Sequence, residues 1–265
     1  MSTEKIIKTQ SKKYLSGNWI TVISAILVLC TIGVTLESVF WLVTIFFGIV
    51  SVETGAVNEG REILYTVAVV SASVAGLILS PIINGIFKMF AKIVNQRSCE
   101  INDMFYFFGN FRRCSRTVLM NLVLFVLFMF FGELTNVYGY ICMLFGSDYF
   151  QSFGFNVETL IFAVAGVVTL VIKVLLYLII LNYPLIAYGM DDSKGIMKYI
   201  FGYTALSFKN LWKTVKLVFS FIWLIMLCFF VAPAFYVVPY LLTALTDSAK
   251  WLFEIENTKI NRFGH

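Results

Sequence analysis

"TLVIKVLLYLIILNYPLIAYGMDD" occupies residues 169–192, and its reading decides the fold. Before the closing pair Asp191-Asp192 its only charged residue is Lys173. A hydrocarbon core of about 30 Å takes roughly 20 helical residues to cross. The surrounding run, residues 157–190, is longer than that. It predicts a transmembrane helix with an ammonium group inside it.

Composition extends that reading to the whole chain. Of 265 residues, 60% are apolar, 13% are charged and 27 are Phe. A soluble domain carries about 25% charged residues. With so little charge, lipid has to be the solvent for much of the surface. Further apolar runs cover residues 19–52, 63–87, 118–145 and 215–245. The expected fold is therefore all-α: a polytopic transmembrane helical bundle, residues 1–265 forming a single integral membrane domain. Pro184 is expected to kink the end of the fourth run, because proline lacks the N–H that the helical ladder needs. Pro233 and Pro239 act likewise on the fifth, where "FFVAPAFYVVPYLL" reads as one kinked helix or as a turn between two. The count of spans is five or six.

Orientation follows from the cations. Lys5, Lys8, Lys12 and Lys13 precede the first run, in a tail at residues 1–18. Lys88, Lys92, Arg97, Arg112, Arg113 and Arg116 lie between the second and third. Lys194, Lys198, Lys209, Lys213 and Lys216 lie between the fourth and fifth. The remaining connections hold Arg61 against Glu53, Glu59, Glu62, Asp148 and Glu158. Basic residues mark the cytoplasmic side, so a multi-pass plasma-membrane protein with a cytoplasmic N-terminus is expected. The apolar run after the first tail exceeds a cleavable signal's core of about 7–15 residues, which reads as a retained anchor. The tail at residues 247–265 carries both signs of charge and has no predicted side. The net charge of +5 does not imply nucleic acid, because the cations flank apolar runs rather than forming a stripe.

Two connections on the basic side read as interfacial helices. In "CEINDMFYFFGNFRRCSR", Ile101, Met104, Phe105, Phe108 and Phe111 recur near helical spacing. In "GIMKYIFGYTALSFKNLWK", Ile196, Tyr199, Ile200 and Tyr203 share a face, with Lys198, Lys209 and Lys213 placed to meet anionic headgroups. Arg112, Arg113 and Arg116 stand in the same relation to the first. The segments that follow, "RTVLMNLVLFVLFMF" and "KTVKLVFSFIWLIM", are alike enough to suggest a parallel duplication. "SASVAG", residues 71–76, offers small side chains suited to close helix packing.

Groups suited to catalysis are few. The single histidine is His265, and no G-x-S-x-G, H-E-x-x-H or phosphate-binding glycine loop occurs. The five cysteines are scattered without C-x-x-C spacing, so no metal site is expected and no cofactor. Asp191 and Asp192 read as a solvated helix terminus rather than a magnesium site. Lys173, fifteen residues after Glu158, sits near mid-bilayer, where a lysine costs about 2.5–3.5 kcal/mol on insertion scales. Glu37, alone in the first run, is its expected partner, and Glu133 the second candidate. The pair serves either to fix helix register or to form a polar site.

"KYLSGNWITVISAIL", "SPIINGIFKMFAKIVNQRSCEINDMFYFFGNF", "YPLIAYGMDD", "FSFIWLIM" and "VPYLLTALTDSAKWLFEI" resemble segments of a family of uncharacterised bacterial integral-membrane proteins, domain of unknown function nine-seven-five. The chain departs from that family at Tyr183-Pro184-Leu185 and at Trp251-Leu252-Phe253. The resemblance implies a polytopic helical membrane protein and supplies no activity. The expected function is non-enzymatic: a scaffold or accessory component engaging the lipid bilayer or a membrane-protein partner at the cytoplasmic interface. The alternative is a small transporter or permease subunit built around Lys173 and Glu37.

Overall fold

Hydrocarbon offers the backbone no partner but itself, so apolar runs within it close their own hydrogen bonds as helices. The computed structural model describes residues 3–145, 157–228 and 231–263. Asp148 and His265 lie outside the described residues. Among these the chain is all-α, with one isolated β-bridge, Val50 to Val57, closing the turn after the first long helix. Four helices are long and apolar enough to cross a membrane: Trp19–Phe46, Glu62–Val94, Phe111–Leu134 and Leu160–Met190. The protein is a membrane-embedded helical bundle.

Helix α1 (Thr3–Leu15) precedes the first span, α2 (Trp19–Phe46). The second span consists of α3 (Glu62–Leu79) and α4 (Pro81–Val94). Pro81 has no amide hydrogen to give Leu77, and the Ser80 amide serves that carbonyl instead at 3.2 Å. A 3₁₀ helix, Ile101–Phe108, then leads to α5 (Phe111–Leu134), whose first turn is capped where the Arg112 amide donates to the Asn110 side chain at 2.9 Å. Helix α6 (Val137–Phe145) turns back against α7 (Val157–Leu176). The fourth span continues as a π turn, Tyr177–Asn182, and α8 (Tyr183–Met190). The wider π turn sits directly before Pro184 and absorbs the missing ladder bond, so the expected irregularity lies just upstream of the proline.

The fifth run is not a single helix. After a second π turn, Lys198–Tyr203, come α9 (Thr204–Lys209), α10 (Leu211–Phe219), α11 (Ile222–Leu227) and α12 (Val231–Phe263). Local bonds break it at Ser220 and end the preceding α9 at Asn210. The Asn210 side chain donates to the Leu206 carbonyl at 3.0 Å, and the Ser220 hydroxyl to Leu217 at 2.6 Å. Such bonds compete with the helical ladder. Pro233 and Pro239 both fall within α12, which runs on through what reads in sequence as a C-terminal tail. The N-terminal tail is likewise helical, packing Ile7, Tyr14 and Leu15 against the core.

Burial is uneven. In the apolar windows of the first two spans only 11% of residues are buried, so α2 and α3 present most of their side chains to lipid. The core gathers instead around α4, where Ile82, Ile86, Phe87, Met89, Phe90 and Ile93 are all buried. The 3₁₀ helix, α8, α12 and α1 pack around it. In the 3₁₀ helix Met104 and Phe107 point inward while Ile101, Phe105 and Phe108 are exposed, as is Phe111 at the start of α5. The α-helical face expected from sequence is thus replaced by the three-residue repeat of a 3₁₀ turn. The close packing expected at residues 71–76 occurs elsewhere. A Cβ on Gly76 would meet nothing within 4 Å, whereas one on Gly85 would stand 1.9 Å from the Met104 carbonyl oxygen. One on Gly189 would lie 2.9 Å from the Phe87 backbone.

Asp247 on α12 has its carboxyl pushed up to about 6, chiefly by burial, with Lys250 opposing and Glu254 reinforcing. A carboxyl raised in the folded state is protonated there while the unfolded chain, near pH 4, already ionises. Its penalty is absent below pH 4, grows between pH 4 and 6, and is complete above. Melting temperature in detergent should therefore fall as pH rises across that window. Asp247→Asn should flatten the fall; an unchanged slope would remove Asp247 as its source.

Candidate functional site

Two basic–aromatic clusters flank the core. The first forms where α4, the 3₁₀ helix, α5 and the end of α8 meet. Lys88 lies 3.9 Å from the centre of the Tyr106 ring, and the Arg113 guanidinium reaches the same ring at 4.2 Å. Lys92 pairs with Asp103 at 2.5 Å. Arg113 pairs with Asp192 at 3.3 Å, and Arg116 donates to the Asp192 carbonyl at 3.0 Å. Asp191 pairs with Lys194 at 3.4 Å. The two aspartates are therefore not a free solvated terminus: they tie the end of α8 to α5 and to the following connection. Hydrogen bonding from Ser193 holds the Asp191 carboxyl below its ordinary range. The Tyr203 hydroxyl, 3.0 Å from the Lys194 ammonium, raises that group.

Buried tyrosines fasten this cluster to the core. Tyr199 donates to the Asp191 carbonyl and accepts from the Lys194 amide at 3.1 Å. Tyr188 stacks on Phe107 at 5.1 Å and shares a hydrogen bond with Thr117 at 3.0 Å. Tyr183 shares one with Thr214 at 2.5 Å. Thr117 and Thr214 occupy matching places in the two similar sequence segments, and both grip tyrosines of α8. The likeness ends there, since α5 is continuous and the second segment is broken into α10 and α11.

The second cluster is a groove between α1, α10 and α12. It is lined by Lys5, Lys8, Lys213, Lys216, Trp212 and Trp251, with Glu4 adding a carboxylate. Lys213 stands 5.5 Å from the Trp251 ring centre and Lys216 5.6 Å from that of Trp212, which is 68% exposed. Lys8 donates to the Ser220 carbonyl and lies 4.2 Å from the Phe221 ring. Aromatic rings beside flexible cations suit the boundary between acyl chains and anionic headgroups.

The six basic residues expected at the interface divide between these surroundings. Arg113 and Arg116 are engaged in the first cluster and Lys213 in the second, while Arg112, Lys198 and Lys209 are exposed. The expected mid-bilayer site is not assembled by contacts. Lys173 is half-buried in the last turn of α7, which packs on α5 and α6. Glu37 is exposed on α2, which packs on α3, α4, α12 and the 3₁₀ helix. Among the described residues no ion pair joins them. Glu133 is exposed beside an open groove of α5 and α6, 3.4 Å from the Asn136 side chain.

The sequence reading attended to charge and passed over amides. Asn84 and Asn182 are fully buried in apolar runs, and Asn121 is partly so. The Asn121 amide nitrogen donates to Ser80 at 2.8 Å and to Asn84 at 2.9 Å. A carboxamide inside an apolar run was the signal that marked them. Comparisons with family models, with curated proteins and with solved structures return no match to this chain.

Proposed function

We propose that this protein is a membrane accessory component whose basic–aromatic groove between α1, α10 and α12 engages anionic lipid headgroups. The observation that carries the reading is the placement of Lys5, Lys8, Lys213 and Lys216 beside Trp212 and Trp251 on elements outside the four long spans. By the positive-inside rule this face is cytoplasmic, the N-terminus lies on that side, and the host is the plasma membrane. Transport through Lys173 and Glu37 requires a shared polar path; their placement on helices with different neighbours favours the interfacial reading. The segments resembling the bacterial domain-of-unknown-function family fall on α2, α4 with the 3₁₀ helix, α8, α11 and α12.

Each lysine near an anionic surface contributes about 1 kcal/mol. Replacing Lys213 and Lys216 together by Gln should cost about 2 kcal/mol, a roughly 30-fold weaker retention of phosphatidylglycerol. Native mass spectrometry from mild detergent would measure this against phosphatidylcholine. Equal retention of both lipids by the unaltered protein would sink the proposal.

A further inference from the structure

Two opposite charges inside the spanning helices lack partners. Among the described residues neither the Glu37 carboxyl nor the Lys173 ammonium makes an ion pair or a side-chain hydrogen bond. Glu37 is exposed nine residues before the far end of α2, roughly 13 Å inside it. Charged groups within a bilayer almost always face the bundle interior or a watery cavity and pair with one another. One turned outward from the bundle needs its partner from outside.

The upper parts of the spans pack as a row. Helix α2 lies on α3, α3 on α5 and α5 on α7, so α2 and α7 stand at its two ends. Four alternating spans put the start of the first and the end of the fourth on one side of the membrane. Both meet the 3₁₀ helix, α2 by packing on it and α8 through the stacking of Tyr188 on Phe107. Glu37 lies eighteen residues after Trp19, and Lys173 seventeen before Met190, roughly 27 and 25 Å along their helices. The two charges therefore share a depth on opposite edges of one molecule. The turns beside them are open as well: Val34 and Trp41 flank Glu37, Leu170 and Tyr177 flank Lys173, and all four are exposed. Since α2 and α7 run in opposite directions, matching the charges between two copies sets Trp41 against Leu170 and Val34 against Tyr177. Each time a ring faces an aliphatic side chain.

We propose that copies of this chain assemble head to tail in the membrane, the α2 edge of one against the α7 edge of the next, joined by Glu37 of one copy and Lys173 of its neighbour. A contact between two different patches leaves each pair with free edges, so it grows until it closes as a ring. This assembly does not depend on the headgroup groove. The test is single-molecule photobleaching of the full-length protein, one fluorophore per chain, in phosphatidylcholine–phosphatidylglycerol liposomes. The unaltered protein should show assemblies of three or more copies. Glu37→Gln and Lys173→Met should each raise the protein density needed for assembly at least tenfold. Mixed one to one at the parent density, the two variants should form pairs and nothing larger, because each supplies the charge that the other lacks. Such rescue also shows that both variants fold. The double exchange, Glu37→Lys with Lys173→Glu, should restore the larger assemblies. Single copies of the unaltered protein at every density, assembly of either variant alone at the parent density, or a mixture that yields no pairs would each overturn the proposal.

Discussion

Gly85→Ala is expected to be the most damaging single-methyl change in this protein. Its Cβ would stand 1.9 Å from the carbonyl oxygen of Met104, 2.5 Å from the carbonyl carbon and 2.8 Å from the Cα. All three are backbone atoms, so no side-chain rotation relieves the clash. The 3₁₀ helix must move away from α4, which strips cover from Met104 and Phe107, both fully buried. Overpacking costs about 1–3 kcal/mol where side chains can adjust; against fixed backbone the loss should be about 3 kcal/mol or more. Against a typical total stability of about 5–15 kcal/mol, that predicts a sharply lowered melting temperature in detergent and poor accumulation in cells. Gly33→Ala is the matched control, because a Cβ there meets nothing within 4 Å. It should melt at or above the parent protein. Equal behaviour of the two variants would refute the close approach of α4 and the 3₁₀ helix.

Tyr199→Phe should be the costliest loss of a single oxygen atom. Its ring is fully buried, edge-on to Tyr188 at 5.0 Å and stacked on Tyr203 at 5.7 Å, and phenylalanine preserves those contacts. What disappears is the hydroxyl that bridges the Asp191 carbonyl and the Lys194 amide. Burial holds this phenol far above its ordinary range, so it remains a donor at any pH the protein meets. Leaving two backbone groups unmatched costs about 1–3 kcal/mol. Tyr203→Phe, which loses only a contact to the partly exposed Lys194 ammonium, should cost at most about 1 kcal/mol. Thermal melts of the two variants side by side decide the matter: a Tyr199→Phe effect no larger than that of Tyr203→Phe would mean the bridge contributes nothing.

The two variants probe what periodicity conceals. Long apolar runs and the charged residues between them announce helices in lipid, and the spans of α2 and α5 follow directly from hydropathy. Tyr199 and Ile200 were legible as an inward face because the second interfacial segment keeps near-helical spacing. The first segment did not yield its face, since nothing in its run of apolar residues distinguishes the three-residue step from Met104 to Phe107 from a slightly longer one. The fifth run misled for a different reason. Ser220 inside it and Asn210 just ahead of it are ordinary in composition, and only their bonds to carbonyls of the preceding turn show that they end helices. The candidate sites were legible in kind but not in grouping. Lys213 and the arginines of α5 were visible as interfacial cations, but Trp251, the aromatic partner of Lys213, lies far off in sequence, and Tyr106, though near Arg113, reads as part of the polar side of its segment. Lys173 drew attention by its charge, while the neutral amides of Asn84 and Asn121 needed the neighbouring helix to become notable.

The pairing of α1 with α12 sets an order of events during synthesis. The Tyr240 hydroxyl donates to the Lys8 carbonyl at 3.1 Å across 232 positions, and Trp19, just past α1 at the start of α2, stacks on Tyr236 at 4.9 Å. The ribosome makes the first partner of each contact long before the second. The long spans, closing their own hydrogen bonds, can enter the bilayer one by one, while α1, even once α4 is in place, keeps the larger part of its packing face uncovered until α12 is made. During that interval the bilayer surface is the natural resting place for that face of the first helix.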